Sequence, residues 1–449
     1  MNTTTEQNKN RIVPIIMMIA LFGMISFVTN LAAPMGQVLK EQFGVSNFMG
    51  LLGNAANFIA YFVMGIPGGI LLQRVGYKKT ALIAVAVGFL GVFVQFLSGH
   101  SPESAAFAVY ILGAFIAGFS MCLLNIVVNP MLNTLGGGGN KGNQLIQVGG
   151  SFNSVMATFT PVFVGILIGE ATSARISDVF PVMYIAMGVF ALVFLVLLGV
   201  HIPEPHVTKS NETMGSLMSG VLKFRPFVFC AIAIFVYVGI EVGTPYIMFY
   251  WLSDMPEVGS TIAGFVTGTY WFLMLIGRLV IGASLGSKIS SKAMLSSLSL
   301  LGLIRVCAAI FSPTTNMVSL PVLQTSAAGA LSFGLSQVPI NALFIVLVGI
   351  CTSIMWGSIF NLAVEGLGKY TPAASGIFMT MVCGGGILPA IQGSVADSAG
   401  YIASYWVIII LFVYLLFYGL VGSKITKRAS IDDEEVPAET PSPSVPVEE

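Results

Sequence analysis

Long apolar stretches separated by short polar breaks run along almost the whole chain. A helix that crosses a membrane needs about 20 mainly apolar residues, and twelve stretches are long enough to cross. None of them shows the two-residue alternation of a strand in a membrane barrel. The pattern therefore predicts an all-α membrane protein with twelve transmembrane helices, at 12–35, 47–73, 80–98, 105–130, 144–169, 181–200, 226–251, 259–285, 293–311, 338–363, 373–396 and 402–421.

The second half of the chain repeats features of the first half. Asn30 precedes Pro34 by four residues, and Glu241 precedes Pro245 by four residues. These correspondences predict two pseudo-symmetric six-helix bundles, an arrangement typical of alternating-access transporters that hold substrate between their halves. The predicted parts are an N-terminal bundle at 1–200, a cytoplasmic central loop at 201–224, a C-terminal bundle at 225–421 and a disordered, acidic, proline-rich tail at 422–449.

Extra residues interrupt the repeat between the ninth and tenth predicted spans. They include much of SPTTNMVSLPVLQTSAAGALSFGLSQVP, residues 312–339. We predict that this insertion is an external segment.

The composition excludes a soluble globular protein. Of the 449 residues, 56% are hydrophobic and 8% are charged, whereas soluble domains have about 25% charged residues. All five cysteines lie in apolar stretches, so neither a disulfide framework nor a metal site is predicted. The formal net charge is zero, and we expect no nucleic-acid partner.

Basic residues in the loops predict the orientation. When the N-terminus is placed inside, the loop lysines and arginines fall on the cytoplasmic side except for Lys40 and Arg175. Cytoplasmic loops of membrane proteins are rich in these residues. Both termini are therefore predicted to be cytoplasmic.

Glu241 is a carboxylate predicted to lie well inside a span. A charge at the centre of a membrane helix costs about 2.5 to 3.5 kcal/mol, so such residues usually face a cavity or a partner. Gly239, Gly243 and Pro245 flank it and can loosen the backbone. We interpret Glu241 as a proton carrier or polar substrate ligand; a purely structural carboxyl is the alternative.

Amide side chains cluster in neighbouring predicted spans. Asn125 and Asn129 share one face of the fourth span, Gln147 and Asn153 lie in the fifth, and Asn30 lies in the first. Amides both donate to and accept from hydroxyl groups, which suits a sugar or another polyol. Hydrogen bonding between helices is the equally plausible alternative.

Aromatic residues could stack on the apolar face of a sugar, and Trp356 is the best placed of them. Interface belts and core packing are the more frequent roles of such side chains in membrane proteins. The other candidates are Tyr246, Tyr250, Trp251, Tyr270 and Trp271.

Arg278 ends the eighth predicted span near the cytoplasmic side. There it could bind carbonyl groups and latch an inner gate, or it could extend to the membrane surface. The segment GGGGNKGN at 136–143 lacks the spacing of a phosphate-binding loop, so we predict a flexible connection.

Several motifs resemble those of a known family. GGILLQRVGYKKTAL at 68–82 resembles the loop signature of the major facilitator superfamily, which makes Arg74 and Lys78 candidate gating residues. YVGIEVG, SIMWGSIFNLAVEGLGKYTPAASG and GGGILPAIQGSVADSAG resemble the fucose/galactose/glucose symporter family, and the second of these adds Asn361 to the candidate ligands. The resemblance implies a twelve-helix transporter of the bacterial inner membrane that moves a monosaccharide with H+ or Na+. YVGIEVG, with Glu241, resembles the glucose/galactose branch of that family, whereas the fucose-transporting branch carries acidic residues where this chain has Asn30 and Asn125.

These observations predict a secondary active transporter that imports a monosaccharide or a related small polar solute, as a monomer in the lipid bilayer. No nucleophile and base constellation is found, so we predict neither an enzyme nor a cofactor beyond the coupling ion. An uncoupled facilitator, a carrier of another solute such as a nucleoside, and a membrane sensor or receptor remain open alternatives.

Overall fold

Helices occupy all twelve predicted segments in the computed structural model. The structure describes residues 2–136, 139–168, 175–202, 214–282, 289–325, 331–364, 367 and 371–424. Most of the predicted tail lies outside these ranges, as do residues 203–213 of the predicted central loop. Spans 1 to 6 are Asn2–Phe43, Leu52–Val75, Tyr77–Ser98, Glu103–Leu135, Gly139–Ile168 and Phe180–Gly199. Short helices at Asn47–Gly50, Ile176–Val179 and Met214–Val221 lie in the connections.

The second half is less regular than the first. Spans 7 to 9 are Arg225–Ser253, Gly259–Gly277 with a π-helical extension at Arg278–Gly282, and Ser291–Phe311. Span 10 is broken into Ile340–Val346, Val348–Thr352 and Met355–Val364; span 11 is Thr371–Met381 followed by Gly384–Ala399. Span 12 is Tyr401–Phe417 with a π-helical extension at Tyr418–Gly422.

Most of these helices are long enough and apolar enough to cross a membrane. Among the described residues, ten helices meet both conditions, and a shorter apolar helix covers Ile340–Thr352. Span 5 is 30 residues long but is not one of the ten. Span 10 is excluded because its breaks shorten each piece. Broken helices are tolerated at membrane depth where neighbouring protein satisfies the backbone.

The insertion before span 10 corrects one expectation. Strands β1 (Met317–Thr325) and β2 (Leu331–Pro339) pair antiparallel, with Met317 opposite Pro339. Side chains of one face, including Leu320, Val322 and Val338, are buried, whereas Phe333 is 61% exposed. The expected absence of strands was therefore wrong for this segment, because alternate residues of a two-stranded hairpin pack on span 8.

A second correction concerns the connection before span 5. The predicted flexible segment 136–143 contributes Gly139–Asn143 to the helix that begins at Gly139. Glycine weakens a helix by only about 1 kcal/mol, so a long apolar helix can extend through it.

Two interhelical seams join the two halves of the molecule. In the first half, span 4 packs against spans 2 and 3, and span 1 packs against span 5. In the second half, span 7 packs against spans 8, 11 and 12. Between the halves, span 5 packs on span 8 and span 2 packs on span 11. The candidate polar residues lie on helices that form these seams or adjoin them.

Candidate functional site

Glu241 forms an ion pair with Arg278 near the middle of span 7. The Arg278 Nη2 atom lies 3.3 Å from Glu241 Oε1, and the two side chains are 11% and 14% exposed. The Tyr270 hydroxyl donates to the Glu241 main-chain oxygen at 3.4 Å. The carboxylate therefore has a cationic partner that the sequence did not reveal, because Arg278 lies 37 positions away.

Arg278 also joins the two halves. Its Nη1 atom donates to the Gly150 main-chain oxygen and to Ser154 Oγ of span 5, both at 2.7 Å. Its Nε atom donates to the Ser353 main-chain oxygen at 3.1 Å. A helical side chain points toward the N-terminus of its helix, and this direction carries the guanidinium from the end of span 8 toward the membrane centre. The predicted carbonyl contacts are present, whereas the gating role stays a prediction. We name Arg278, Glu241, Gly150, Ser154 and Ser353 the Arg278 cluster.

Three polar side chains form a chain of hydrogen bonds between spans 2 and 4. The Asn125 Nδ2 atom donates to the Tyr61 hydroxyl at 2.8 Å. The Asn129 Nδ2 atom donates to the Asn125 main-chain oxygen at 2.9 Å and to its Oδ1 atom at 3.3 Å. Both asparagines are half-buried. The structure thus brings the two amides together as predicted and adds Tyr61, which the sequence analysis missed.

Of the remaining candidate amides, two have described hydrogen bonds and two have side chains that the structure does not describe. Asn30 is 4% exposed and donates to Ser26, while its Oδ1 atom has no hydrogen-bond partner in the described residues. The Asn153 Nδ2 atom donates to the Phe22 main-chain oxygen at 3.2 Å, which ties span 5 to span 1. The side chains of Gln147 and Asn361 lie outside what the structure describes.

Trp356 is the candidate aromatic residue that is not fully buried. Its ring contacts Tyr237 at a centroid distance of 6.3 Å and Phe378 at 5.4 Å, both edge to face. The other candidate aromatic residues are covered by core packing in this structure, which is the more frequent role noted for them from the sequence. Their exposed fractions are 8% or less for Tyr246, Tyr250, Trp251, Tyr270 and Trp271.

A second polar cluster joins the halves at the end predicted to be external. Lys40 of span 1 lies 2.9 Å from the Asp254 carboxylate after span 7. Lys40 also donates to Asn47 Oδ1 at 3.0 Å and to the Tyr401 hydroxyl at 3.2 Å, and Tyr401 donates to Asp254. Asp397 of span 11 accepts from the main-chain nitrogen of Asn47 at 3.0 Å. We name these five residues the Lys40 cluster. These residues lie at helix ends in the sequence, where charged residues are common. The single hint of the cluster was that Lys40, unlike most loop lysines and arginines, is predicted to lie on the external side.

The two other predicted gating residues lie within the first half. Arg74 is exposed at the end of span 2. The Lys78 ammonium donates to the Leu198 main-chain oxygen at 2.9 Å, so it ties the start of span 3 to the end of span 6. The Lys78–Leu198 bond lies within the first half, and a gating role for Arg74 and Lys78 stays a prediction. Among the described residues, no group of three or more histidine, cysteine or acidic residues could hold a metal ion.

Comparison with known proteins gives consistent matches over most of the chain. The Major Facilitator Superfamily model matches residues 15–345. A glucose/galactose transporter of Brucella abortus (biovar 1, strain 9-941) is 28% identical over 434 residues, which cover 94% of this chain and 97% of that protein. The L-fucose-proton symporter of Escherichia coli (strain K12) is 23% identical over 422 residues, covering 88% and 90%.

The solved structures include a similar fold. The crystal structure of a Major Facilitator Superfamily transporter, FucP, in the outward conformation matches with a TM-score of 0.68 at 18% identity, covering 92% of this chain and all of that chain. The predicted fold class and the family resemblance are confirmed by these matches.

Proposed function

The chain belongs to the Major Facilitator Superfamily, and from that premise we propose that it is a secondary transporter that carries a monosaccharide across the membrane by alternating access. The observation that carries this proposal is the end-to-end similarity to a glucose/galactose transporter, over 94% of this chain and 97% of that protein. The polar clusters between the halves support the proposal. A transport role requires no chemical conversion of the solute.

The substrate groups that this site can recognise are hydroxyls. Asn125, Asn129 and Tyr61 present amide and phenol groups that can donate and accept. Trp356, partly exposed beside Tyr237, offers an aromatic ring for the apolar face of a sugar. In our proposal these groups, together with Asn30 and Asn153, bind a monosaccharide between the halves.

We assign the coupling role to Glu241 and favour H+ over Na+ as the coupling ion. The carboxylate already faces the Arg278 guanidinium at 3.3 Å, and a second cation bound beside it would meet electrostatic repulsion. A proton instead neutralises the carboxylate without adding a separate charge. Protonation would occur while the site faces outward, and release would occur while it faces inward.

The proposed setting is the cytoplasmic membrane of a bacterium, with both termini inside and the Lys40 cluster at the external end. The basic residues of the predicted cytoplasmic loops support this orientation. We expect the monomer to be the transporting unit, because each chain contains both halves of the proposed pathway.

Uptake into proteoliposomes tests the proposal. Glucose, galactose, fucose and a nucleoside are offered to the parent protein, to Glu241→Gln and to the control Glu257→Gln, whose carboxylate is exposed. We expect the parent and the control to accumulate a sugar against its gradient when an inward proton gradient is imposed. Glu241→Gln should exchange sugar but fail to accumulate it.

Three outcomes would contradict parts of the proposal. Accumulation by Glu241→Gln equal to that of the parent would remove the coupling role. Uptake of the nucleoside without any sugar would replace the substrate class. Accumulation that follows an imposed Na+ gradient and ignores the proton gradient would replace the coupling ion.

A further inference from the structure

Arg278 contacts three other spans at once, and two of its contacts cross between the halves. It binds Gly150 and Ser154 of span 5, the Ser353 carbonyl before the last segment of span 10, and Glu241 of span 7. Because span 5 belongs to the first half and the other spans to the second, the guanidinium lies in the seam between the halves. This seam is also where span 5 packs along span 8.

Arg278 lies near the predicted cytoplasmic end of span 8. It begins the π-helical extension Arg278–Gly282, four residues before the described end of the span. This end is opposite to the one that carries the Lys40 cluster. The Arg278 contacts therefore hold spans 5 and 8 together in the part of the seam nearer to the predicted cytoplasmic side.

The charge balance of the cluster depends on Glu241. The Arg278 side chain is 11% exposed, and the charged group described beside it is the Glu241 carboxylate. The other titratable groups that interact with this pair are the phenols of Tyr237, Tyr246 and Tyr270, which are neutral near pH 7. The Tyr237 hydroxyl donates to the Thr352 main-chain oxygen at 3.2 Å, and the buried thiol of Cys351 interacts electrostatically with Tyr270.

Loss of the Glu241 charge would leave Arg278 as a buried cation with neutral acceptors. Breaking a buried pair by removing one partner is strongly unfavourable, because it leaves an uncompensated charge away from water. The remaining bonds to Gly150, Ser154 and Ser353 are made to neutral oxygens. The guanidinium would gain most by moving toward water, and that movement would release span 5.

We propose that Arg278 is the positioning residue that converts the charge state of Glu241 into closure or opening of the seam between spans 5 and 8. With Glu241 ionised, Arg278 is held against Gly150 and Ser154, and the predicted cytoplasmic end is closed. When a proton from the external side binds a Glu241 carboxyl oxygen, Arg278 leaves span 5 and that end opens. Release of the proton to cytoplasmic water restores the ion pair and the closed seam.

This inference rests on the proposed function and specifies its coupling step. Its direction agrees with uptake driven by an inward proton gradient. A protein without a bound proton would keep the cytoplasmic end closed and await solute from outside, whereas a protonated protein would open inward.

The test measures the opening directly and needs no sugar. Spin labels are attached to cysteines that replace Lys79 at the start of span 3 and Ala293 at the start of span 9, both exposed and in opposite halves. The distance distribution between the labels is recorded in lipid nanodiscs from mildly alkaline to mildly acidic pH. A protein without the two introduced cysteines controls for labelling of Cys307, which is half-buried.

We expect the parent to shift toward longer distances as the pH falls. Glu241→Gln should show an enlarged long-distance population that does not change with pH, beside the short-distance population that exchange of sugar requires, and Arg278→Gln should also lose the pH response. The double variant should resemble each single one, because the two residues act through one contact. Arg278→Lys keeps the charge but loses the planar fork, so it should retain a weaker pH response. A merely structural arginine would not produce this pattern.

Two results would overturn the inference. One is a parent-like pH response in Glu241→Gln, a variant that changes the carboxylate to an amide of the same shape. The other is a full, parent-like pH response in Arg278→Gln or in Arg278→Lys. If Arg278→Gln does not fold, Glu241→Gln and Arg278→Lys still decide the question. Absence of sugar uptake would contradict the proposed function and leave these distances unaffected, so the two failures are distinguishable.

Discussion

Gly386 of span 11 is a position where one added methyl group should keep the two halves apart. A Cβ atom built on Gly386 would lie 2.8 Å from both the Cα and the carbonyl oxygen of Ala55, and 2.8 Å from Phe58 Cβ. Ala55 and Phe58 belong to span 2, in the other half. Two of the three atoms are main chain, which cannot turn away as a flexible side chain could. We therefore expect Gly386→Ala to disfavour the state in which spans 2 and 11 touch.

The size of the effect follows from the distances. Ordinary contact for a Cβ atom begins at 3.4 Å, so the two helices must separate by about 0.6 Å. Overpacking of this kind costs about 1–3 kcal/mol, which corresponds to roughly a 5- to 150-fold change in an equilibrium constant. The clash exists only while this seam is closed. The substitution should therefore shift the population toward opening at the end that carries the Lys40 cluster.

Labelling of a buried cysteine measures this population. Leu51 is 1% exposed and faces span 11, because a Cβ atom on Gly393 would lie 2.8 Å from Leu51 Cδ1. In a Leu51→Cys background, purified protein is treated with a polar maleimide, and the rate is compared among variants. Gly376→Ala, also in span 11, is the matched control, because a Cβ atom there meets nothing within 4 Å.

We expect Gly386→Ala to label faster than its background by at least about fivefold, and Gly376→Ala to label at the background rate. Equal rates for Gly386→Ala and its background would refute the reasoning, since the seam would then close over the extra methyl group. A faster rate for both variants would point instead to a general effect of alanine on span 11.

Two further predictions use contacts described above. Asp254→Asn weakens the pair with Lys40, which is 2.9 Å long and partly exposed. Such pairs contribute about 0.2–1 kcal/mol, so the labelling rate of Leu51→Cys should rise by less than about sixfold. An unchanged rate would show that the pair does not hold the halves together. Tyr61→Phe removes the hydroxyl that accepts from Asn125 at 2.8 Å. Loss of a hydrogen bond worth about 1 kcal/mol should raise the KM for sugar roughly fivefold, with little change in kcat. An unchanged KM in uptake kinetics would place the hydrogen-bonded residues Tyr61, Asn125 and Asn129 outside the binding site.

The apolar pattern was sufficient to predict where helices form but not where their side chains meet. Glu241 could be identified because an isolated carboxylate in an apolar stretch is costly. Its partner Arg278 could not, since the pair depends on the direction of a side chain at the end of another helix. Lys40 and Asp254, separated by 214 positions, each resemble an ordinary charge at a membrane surface until the fold brings them together.

The hairpin was missed for a different physical reason. Its buried residues Leu320 and Val322 do alternate with exposed ones, but Pro321 stands between them, and proline within a run argues against a central strand. Here β1 is one of only two described strands, so a residue without an N–H can occupy it. A two-residue period over so short a segment is also hard to separate from a connecting loop in a chain dominated by long helices.

The two clusters between the halves differ in how far their charged side chains are exposed to solvent. In the Lys40 cluster, the Asp254 side chain is 34% exposed, so water can replace its partners when the halves part, and opening there costs little electrostatically. In the Arg278 cluster both charged side chains are 14% exposed or less and belong to the second half, so the ion pair itself does not part when the halves separate; loss of one of its charges is what would be costly there. In the proposed cycle, proton binding to Glu241 removes the anion that holds Arg278 in place against Gly150 and Ser154 of span 5, and it leaves the Lys40 cluster unchanged. The buried pair therefore determines when the cytoplasmic end opens, while the exposed pair lets the external end open and close readily.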